Sequence, residues 1–406
     1  MATTNEPILT NAQALKVLGK MKDTTNFLAI LAEGKRSDIY TSMAQIASIV
    51  RAGTVADNAK KFPVGDQIIM PWKDMDDANH NTDQTAYEVA WDIVHHDEVT
   101  LQDGRIVPGM FLQMHLCSAY GVQFSHQQAF FVCNEALPAG TYYFTLNAKY
   151  DTIPANSILE FTTTQAVPAN GRIYMTTGRS VSTYAKGGTS PIETVTATIV
   201  ESSSGTELGT TGSSGLNIVS RMQYGSNRWK TSAIRQYLNK SGDNWWASQE
   251  DFDIVPDQYS KKGFMTGFDP SFLAAIKPVK VTTALNTVEG YADATEDTFD
   301  TFFLPSLQQM NVNPQLANVE GDVFEYWKRR LNLTGYAGTG SSNIYDAFKI
   351  PAINANSAQH VRLRSASRGY AHNTWFVISS GYVNYGYGYA GTASHASRFS
   401  PVCVIC

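Results

Sequence analysis

The chain is 406 residues long, enough for two or three domains, because single hydrophobic cores stop growing at roughly 250–300 residues. Charged residues are only 17% and aromatics 11%, with 20 Tyr and 19 Phe beside 30 Gly, a texture of β-rich folds with many turns and not of disorder or long helices. The net charge of −5, without any run of Lys and Arg, leaves no electrostatic footprint for nucleic acid.

The opening MATTNEPILTNAQ lacks the basic and apolar regions of a secretory signal, and no stretch of about 18 apolar residues is available to span a bilayer. The expectation is a chain made and kept in a cytosol, with no membrane insertion. Four cysteines, Cys117, Cys133, Cys403 and Cys406, are too few and too irregular for a disulfide scaffold and are expected as free thiols.

Residues 1–60 read as a helical segment. Apolar residues recur at helical spacing from Leu15 through Ile30 and Leu31 to Ile46, Ile49 and Val50, with Ser37 as a candidate N-cap and Gly53 as a stop. Such helices are marginal alone and would dock on the rest of the chain or on an assembly partner. Residues 61–122 switch to short apolar runs, and 67–72, 88–95 and 109–115 read as strands.

Residues 123–216 lose helical periodicity and fill with Thr, Ser, Gly and Pro. Two units are alike: ALPAG at 136–140 precedes TYYFTL, and AVPAN at 166–170 precedes GRIYMT, each a Pro turn feeding an alternating strand. They suit a small antiparallel sandwich, with 202–215 as flexible loops at its exit. Residues 217–406 are aromatic-rich and mixed. A helix is expected over 226–238, Trp245 and Trp246 in the core, and short elements at 272–276, 277–284, 301–304 and 361–363, separated by long loops of the kind that usually carry function.

The region from Arg364 to the end is dense in Tyr, Ser, Asn and Gly, the residues of adaptable recognition surfaces. Tyr385, Tyr387 and Tyr389 are spaced by two, so an extended segment sets their rings on one face; the competing reading is a buried aromatic ladder or a low-complexity loop. Residues 375–378 and 401–405 read as core strands that hold it.

Other constellations carry less. His95 and His96, with Asp97, Glu98, His115 and His126 near in sequence, invite a metal, but neighbours on a strand point to opposite faces. Asp269, Glu296, Asp297 and Asp300 offer oxygens for calcium without the spacing of a calcium loop. No nucleophile elbow, phosphate-binding loop, HExxH or dinucleotide fingerprint is present, and carboxylates such as Asp92 and Glu98 pair as in a glycosidase only if the fold brings two of them to one cleft. The expectation is no metal, no cofactor and no enzyme activity.

In order along the chain, VGDQIIMPW at 64–72, RMQYGSNRWKTSAIRQYLN at 221–239, FFLPS at 302–306, RLRS at 362–365 and FSPVCVI at 399–405 resemble an uncharacterised domain common in phages and prophages of gut bacteria. That family is similar to C-type-lectin-like folds, in the branch that includes formylglycine-generating enzymes and the variable proteins diversified by phage retroelements. Where the family often has paired Trp before the Leu-Arg-Ser step, His360 and Val361 stand here. No active-site cysteines or copper ligands of the formylglycine branch can be matched.

The resemblance implies an α+β, β-rich protein: a C-type-lectin-like domain split by an inserted antiparallel β-sandwich and preceded by a short N-terminal helical segment. Residues 1–60 would attach to the virion, 61–122 and 217–406 would form the lectin-like domain, and 123–216 the insert. Display loops fall at 367–373, 382–389 and 394–397. The ligand-binding residues expected there are Arg368, Tyr370, His372, Asn373, Tyr382, Asn384, Tyr385, Tyr387, Tyr389 and His395. Expected partners are other virion proteins, a host-surface glycan or protein, and copies of the same chain, with a trimer as one option. The alternative is a purely structural capsid decoration, fibre or baseplate component whose Tyr-rich tail is a subunit interface.

Overall fold

The structure, a computed structural model, describes residues 36–74, 85–126, 131–146, 152–176, 179–186, 188, 190–211, 214–215, 218–220, 226–249, 253, 255–286, 294–311, 319–334, 348–368, 373–381, 383–384 and 396–406. The first described element, α1 (Arg36–Ala52), turns Met43, Ile46, Ala47 and Val50 inward, and all four join the main core of the chain itself. Gly53 ends it, its N–H bonded to Ile49 O at 3.0 Å. A Cβ there would lie 2.6 Å from Asn58 Oδ1. Thr54 caps α2 (Val55–Lys61), and the buried Asn58 amide donates to Val50 O at 2.9 Å, so the two helices are tied at their junction.

Three antiparallel strands follow, β1 (Gln67–Asp74), β2 (Thr85–Thr100) and β3 (Ile106–Met114), then the short β4 (Val122–Gln123). Each of the first three is longer than its apolar run suggested, because pairing continues past the buried residues.

From Phe131 the chain builds a separate body: β5 (Phe131–Cys133), β6 (Gly140–Thr145), β7 (Ile158–Thr163), β8 (Arg172–Thr176), β9 (Ser180–Tyr184), β10 (Glu193–Thr196), β11 (Thr198–Val200), β12 (Thr206–Thr210), β13 (Ser214–Gly215) and β14 (Ile218–Ser220). Six strands order as β10-β9-β8-β5-β14-β13 and four as β11-β7-β6-β12. Phe131 of one sheet meets Phe144 of the other edge-on at 5.4 Å, within an apolar cluster that also holds Leu159, Phe161, Val181 and Leu208. The two Pro-turn units pair with each other: Leu137 and Val167 exchange both backbone bonds at 2.8 Å, and the strands they feed enter opposite sheets. Two expectations change. The loop expected over 202–215 contains β12, and β12 runs parallel to β6 (Thr206 opposite Tyr142) in an otherwise antiparallel sheet.

The main body resumes with α3 (Ala233–Leu238), α4 (Pro270–Ala275), β15 (Val279–Ala284), β16 (Thr295–Asp300), β17 (Phe302–Phe303), α5 (Glu325–Thr334), β18 (Pro351–Ala352), β19 (Ala355–Ala358), β20 (Val361–Ala366), β21 (Thr374–Val377), β22 (Val383–Asn384), β23 (Ala396–Phe399) and β24 (Val402–Ile405). The helix expected from residue 226 starts only at Ala233, because Ser232 is the N-cap and the preceding residues spend their side chains on tertiary bonds. Arg228 grips Glu296 at 2.8 Å, and Trp229 Nε1 donates to Asp300 at 2.9 Å.

Two five-stranded sheets result, β1-β2-β3-β24-β17 and β22-β21-β20-β23-β4. The last strand of the chain is inserted between β3 and β17, with Cys403 opposite both Leu112 and Phe302. One apolar core therefore gathers residues from Met43 to Phe124 and again from Trp229 to Cys406, while the body at 131–220 keeps its own. The protein is a β-rich α+β fold. All four cysteines are buried and unbridged. Among the described residues no helix is long and apolar enough to cross a membrane.

Candidate functional site

The C-terminal sheet is organised by β20, all six of whose residues are buried. Two of them are arginines. Arg362 donates to Thr374 Oγ1 at 2.5 Å and Ser397 Oγ at 3.0 Å, joining β20 to both neighbours, with its guanidinium 5.9 Å from the Phe376 ring. Burial pushes its pKa down to about 9, so it is still charged at neutral pH.

Arg364 points into a second polar cluster. It donates to Leu304 O (2.9 Å), Gln309 Oε1 (2.6 Å) and Glu320 O (2.6 Å), and burial lowers it to about 10, against the raising charges of Glu320 and Asp300. The Glu320 carboxylate, itself fully buried, accepts from Ala284 N at 3.1 Å and from Ser365 Oγ. Burial pushes its pKa up, opposed by the Arg364 charge. The terminal guanidinium nitrogens of both arginines are hydrogen-bonded, and their bonds tie β20 to Thr374, Ser397, Leu304, Gln309 and Glu320.

At the end of β20 the chain enters the first expected display loop. Ser367 N donates to Asn373 O at 2.9 Å and closes its base. The buried Asn227 amide donates to both Ser367 O (3.1 Å) and Asn373 O (2.8 Å), and Asn286 donates to Asn227 Oδ1 at 3.0 Å. The base is thus held through backbone carbonyls from residues that lie far away in sequence. β22 runs antiparallel to β21, with Asn384 opposite Phe376, so it heads toward that same end of the sheet. β23 runs parallel to β20 and starts at the other end, beside Gln123.

Of the residues expected to bind ligand, Arg368 is half-buried at the start of the loop, and Asn373 is 6% exposed, a member of the loop base and not of an open face. Asn384 is placed by its backbone in β22. Tyr370, His372, Tyr382, Tyr385, Tyr387, Tyr389 and His395 lie outside the described residues. Residues that sequence reasoning missed are the framework ones: Asn227, Asn286, Glu320 and Gln309. The burial of the two arginines was not legible, since Arg362 and Arg364 alternate with Val361 and Leu363, the pattern of a strand with one solvated face.

The acidic residues weighed as a calcium site have other partners. Asp269 caps α4, Glu296 holds Arg228, Asp297 pairs with Lys280 at 2.8 Å, and fully buried Asp300 binds Arg235 at 2.6 Å. The histidines also part company. His95 lies among Phe111 and Phe324, His96 has Nε2 2.7 Å from Phe62 O, His115 pairs with Asp92, and His126 meets Val255 O. Burial lowers the pKa of both His95 and His96. Among the described residues no group of three His, Cys, Asp or Glu is placed to hold a metal ion.

A cleft of about 210 Å³ is lined by His95, Asp97, Glu98, Phe111, Phe324 and Asp322, with Glu320 and Arg364 in its wall. It brings carboxylates together, as a glycosidase would need. Glu320 is fully buried and engaged by protein donors on both oxygens.

A family described as a domain of unknown function (DUF6273) matches residues 195–404, from inside the sandwich to the penultimate residue of β24. No curated protein and no solved structure matches the chain.

Proposed function

The chain belongs to the DUF6273 family, and from that premise we propose that it is a non-enzymatic bacteriophage virion protein whose C-terminal sheet is a C-type-lectin-like display surface for a host glycan or protein. The observation that carries this reading is the base of the loop at 367–373. It is clamped by Asn227 through main-chain carbonyls, on a sheet cross-tied by buried Arg362. Rigid support beneath a Tyr-, Ser- and Asn-rich segment is the arrangement that gives affinity at low ordering cost.

In this reading the main body is a lectin-like domain split by the sandwich, the sandwich is a spacer or decoration, residues 1–60 lead to the particle, and the virion carries several copies. The Tyr-rich segment at 382–389, which contains β22, contributes the stacking face in this reading. Replacing Tyr385, Tyr387 and Tyr389 together by Ala abolishes adsorption of virions to host cells while the melting temperature of the purified protein stays within a few degrees. Unchanged adsorption sinks the reading. Tyrosine labelling of intact particles distinguishes the structural alternative: modification at 382–389 means a displayed face, and protection released only by disassembly means a subunit interface.

A further inference from the structure

The cleft of about 210 Å³ is walled by the second half of β2, by β15 and by the segment that leads into α5. That volume is below the roughly 300–1,000 Å³ of pockets for drug-sized ligands, so it suits a single ring. Three kinds of group meet in it. The first is acidic: Asp97, Glu98 and Asp322 line the cleft, and among the described residues no ion pair engages any of them. The two cations of the lining are spent elsewhere, Lys280 on Asp297 at 2.8 Å and Arg364 on Leu304, Gln309 and Glu320. His95 does not neutralise the acids either. Burial holds its pKa below the ordinary histidine value, against the raising charges of Asp97, Asp322 and Glu325.

The second is apolar. Phe111 and Phe324, ring centroids 5.5 Å apart, form one wall together with Val281. The third is a donor. Gln309 is 6% exposed, and its amide oxygen accepts from Ser306 N at 3.1 Å and from Arg364 Nη1 at 2.6 Å. Both partners are donors, so the orientation of the amide is settled and Nε2 is its other end. Among the described residues Nε2 donates to no one. Gly321 lines the cleft at φ +97°, and a Cβ there would stand 3.1 Å from Nε2, so the glycine leaves this donor uncovered.

We propose that the cleft binds a protonated amine carried on a hydroxylated ring, the chemistry of an amino sugar. The ammonium meets Asp97, Glu98 and Asp322, a ring hydroxyl accepts from Gln309 Nε2, and the C–H face of the ring lies on the Phe111 and Phe324 wall. Each part of the ligand answers one observation. An anion is repelled by the acids, and a neutral sugar satisfies the donor and the wall but brings no charge to them. An amine without hydroxyls leaves the Gln309 donor desolvated and unpaired. Glu98 and Asp322 are exposed, so their attraction is screened by salt.

The test is calorimetric titration of the full chain with glucosamine, N-acetylglucosamine, glucose and cyclohexylamine just below neutral pH, where both amines are protonated and His95 is neutral. Glucosamine is expected to bind about tenfold or more tightly than each of the other three, and to weaken as salt is raised. Its affinity is expected to fall by about fivefold or more in Asp97→Asn and in Asp322→Asn. The melting temperature stays unchanged in both variants, because the Asp322 side chain is exposed and an amide at 97 still accepts from Glu98 N. Equal affinity for glucose or N-acetylglucosamine overturns the charge requirement, and equal affinity for cyclohexylamine overturns the sugar. No heat with glucosamine, or binding indifferent to both substitutions, overturns the site. The display loops are untouched by any of these outcomes, since their test is adsorption.

Discussion

The sandwich and the C-terminal sheet are both small β-structures, yet they differ in the weight of buried polar structure, Arg172 being the one buried charged side chain among the described residues of the sandwich. The sandwich closes on Phe131, Phe144, Leu159, Phe161 and Val181, apolar side chains of strands that neighbour one another in sequence. The C-terminal sheet buries Arg362, Arg364, Glu320, Asn227 and Asn373, and its partners come from residues 118–123, 226–227, 304–320 and the chain end. Apolar packing is non-directional and tolerates change when volume is kept, whereas a buried polar frame has one satisfied arrangement and loses heavily when a member goes. A local apolar body suits a spacer, and a long-range polar frame suits a surface that must hold its shape.

The seven tryptophans all lie outside the sandwich, so tryptophan fluorescence reports on the main body alone and far-ultraviolet circular dichroism on both. That separates the following effects. Deleting residues 402–406 removes a fully buried strand from the middle of the β1-β2-β3-β24-β17 sheet. The main body should then lose its cooperative fluorescence transition altogether while a β-type dichroism transition survives from the sandwich. Loss of both transitions would break the comparison.

Arg364→Ala comes next. It strands the Glu320 backbone carbonyl and the Gln309 amide oxygen in the core, takes away the positive charge beside the Glu320 carboxyl, and should cost about 3–5 kcal/mol in urea unfolding followed by fluorescence. Leu159→Ala in the sandwich should cost about 2–5 kcal/mol, visible in dichroism and silent in fluorescence. A fluorescence shift of similar size there would mean that the two bodies unfold as one. The smallest effect is expected for Asn227→Ala, about 1–3 kcal/mol from the loop carbonyls it abandons, with a loss of adsorption larger than the loss of stability explains. Equal losses would reduce Asn227 to an ordinary core residue.

Much of this fold was legible in the residues. The three strands after residue 60, the stop at Gly53, the twin Pro turns and the core strand at the chain end announce themselves by period, by glycine and by β-branched runs, all of which act through neighbours in sequence. The helix at 226–238 was overestimated for a definable reason: its first half carries Asn227, Arg228 and Trp229, whose side chains are claimed by Asn373 and Ser367, Glu296 and Asp300. Period alone cannot show that a polar residue will find a better partner 70 or 140 positions away. The candidate site divides in the same way. Its Tyr-rich alphabet is visible in the sequence, but its frame is not, because Asn227, Asn286 and Glu320 are unremarkable until the sheet closes around them.

What the sequence by itself determined is the local grammar: a β-rich chain, a helical entry, an apolar sandwich in the middle and an aromatic, glycine-rich end. Only the tertiary structure decided that the last strand lies between β3 and β17, that two arginines are interior, and that Asp97, Gln309 and Asp322 line one cleft. The physical reason is range. Backbone propensity and hydrophobic period act over a few residues, whereas the desolvation that makes a buried charge seek its partners is set by which distant segments the fold encloses together.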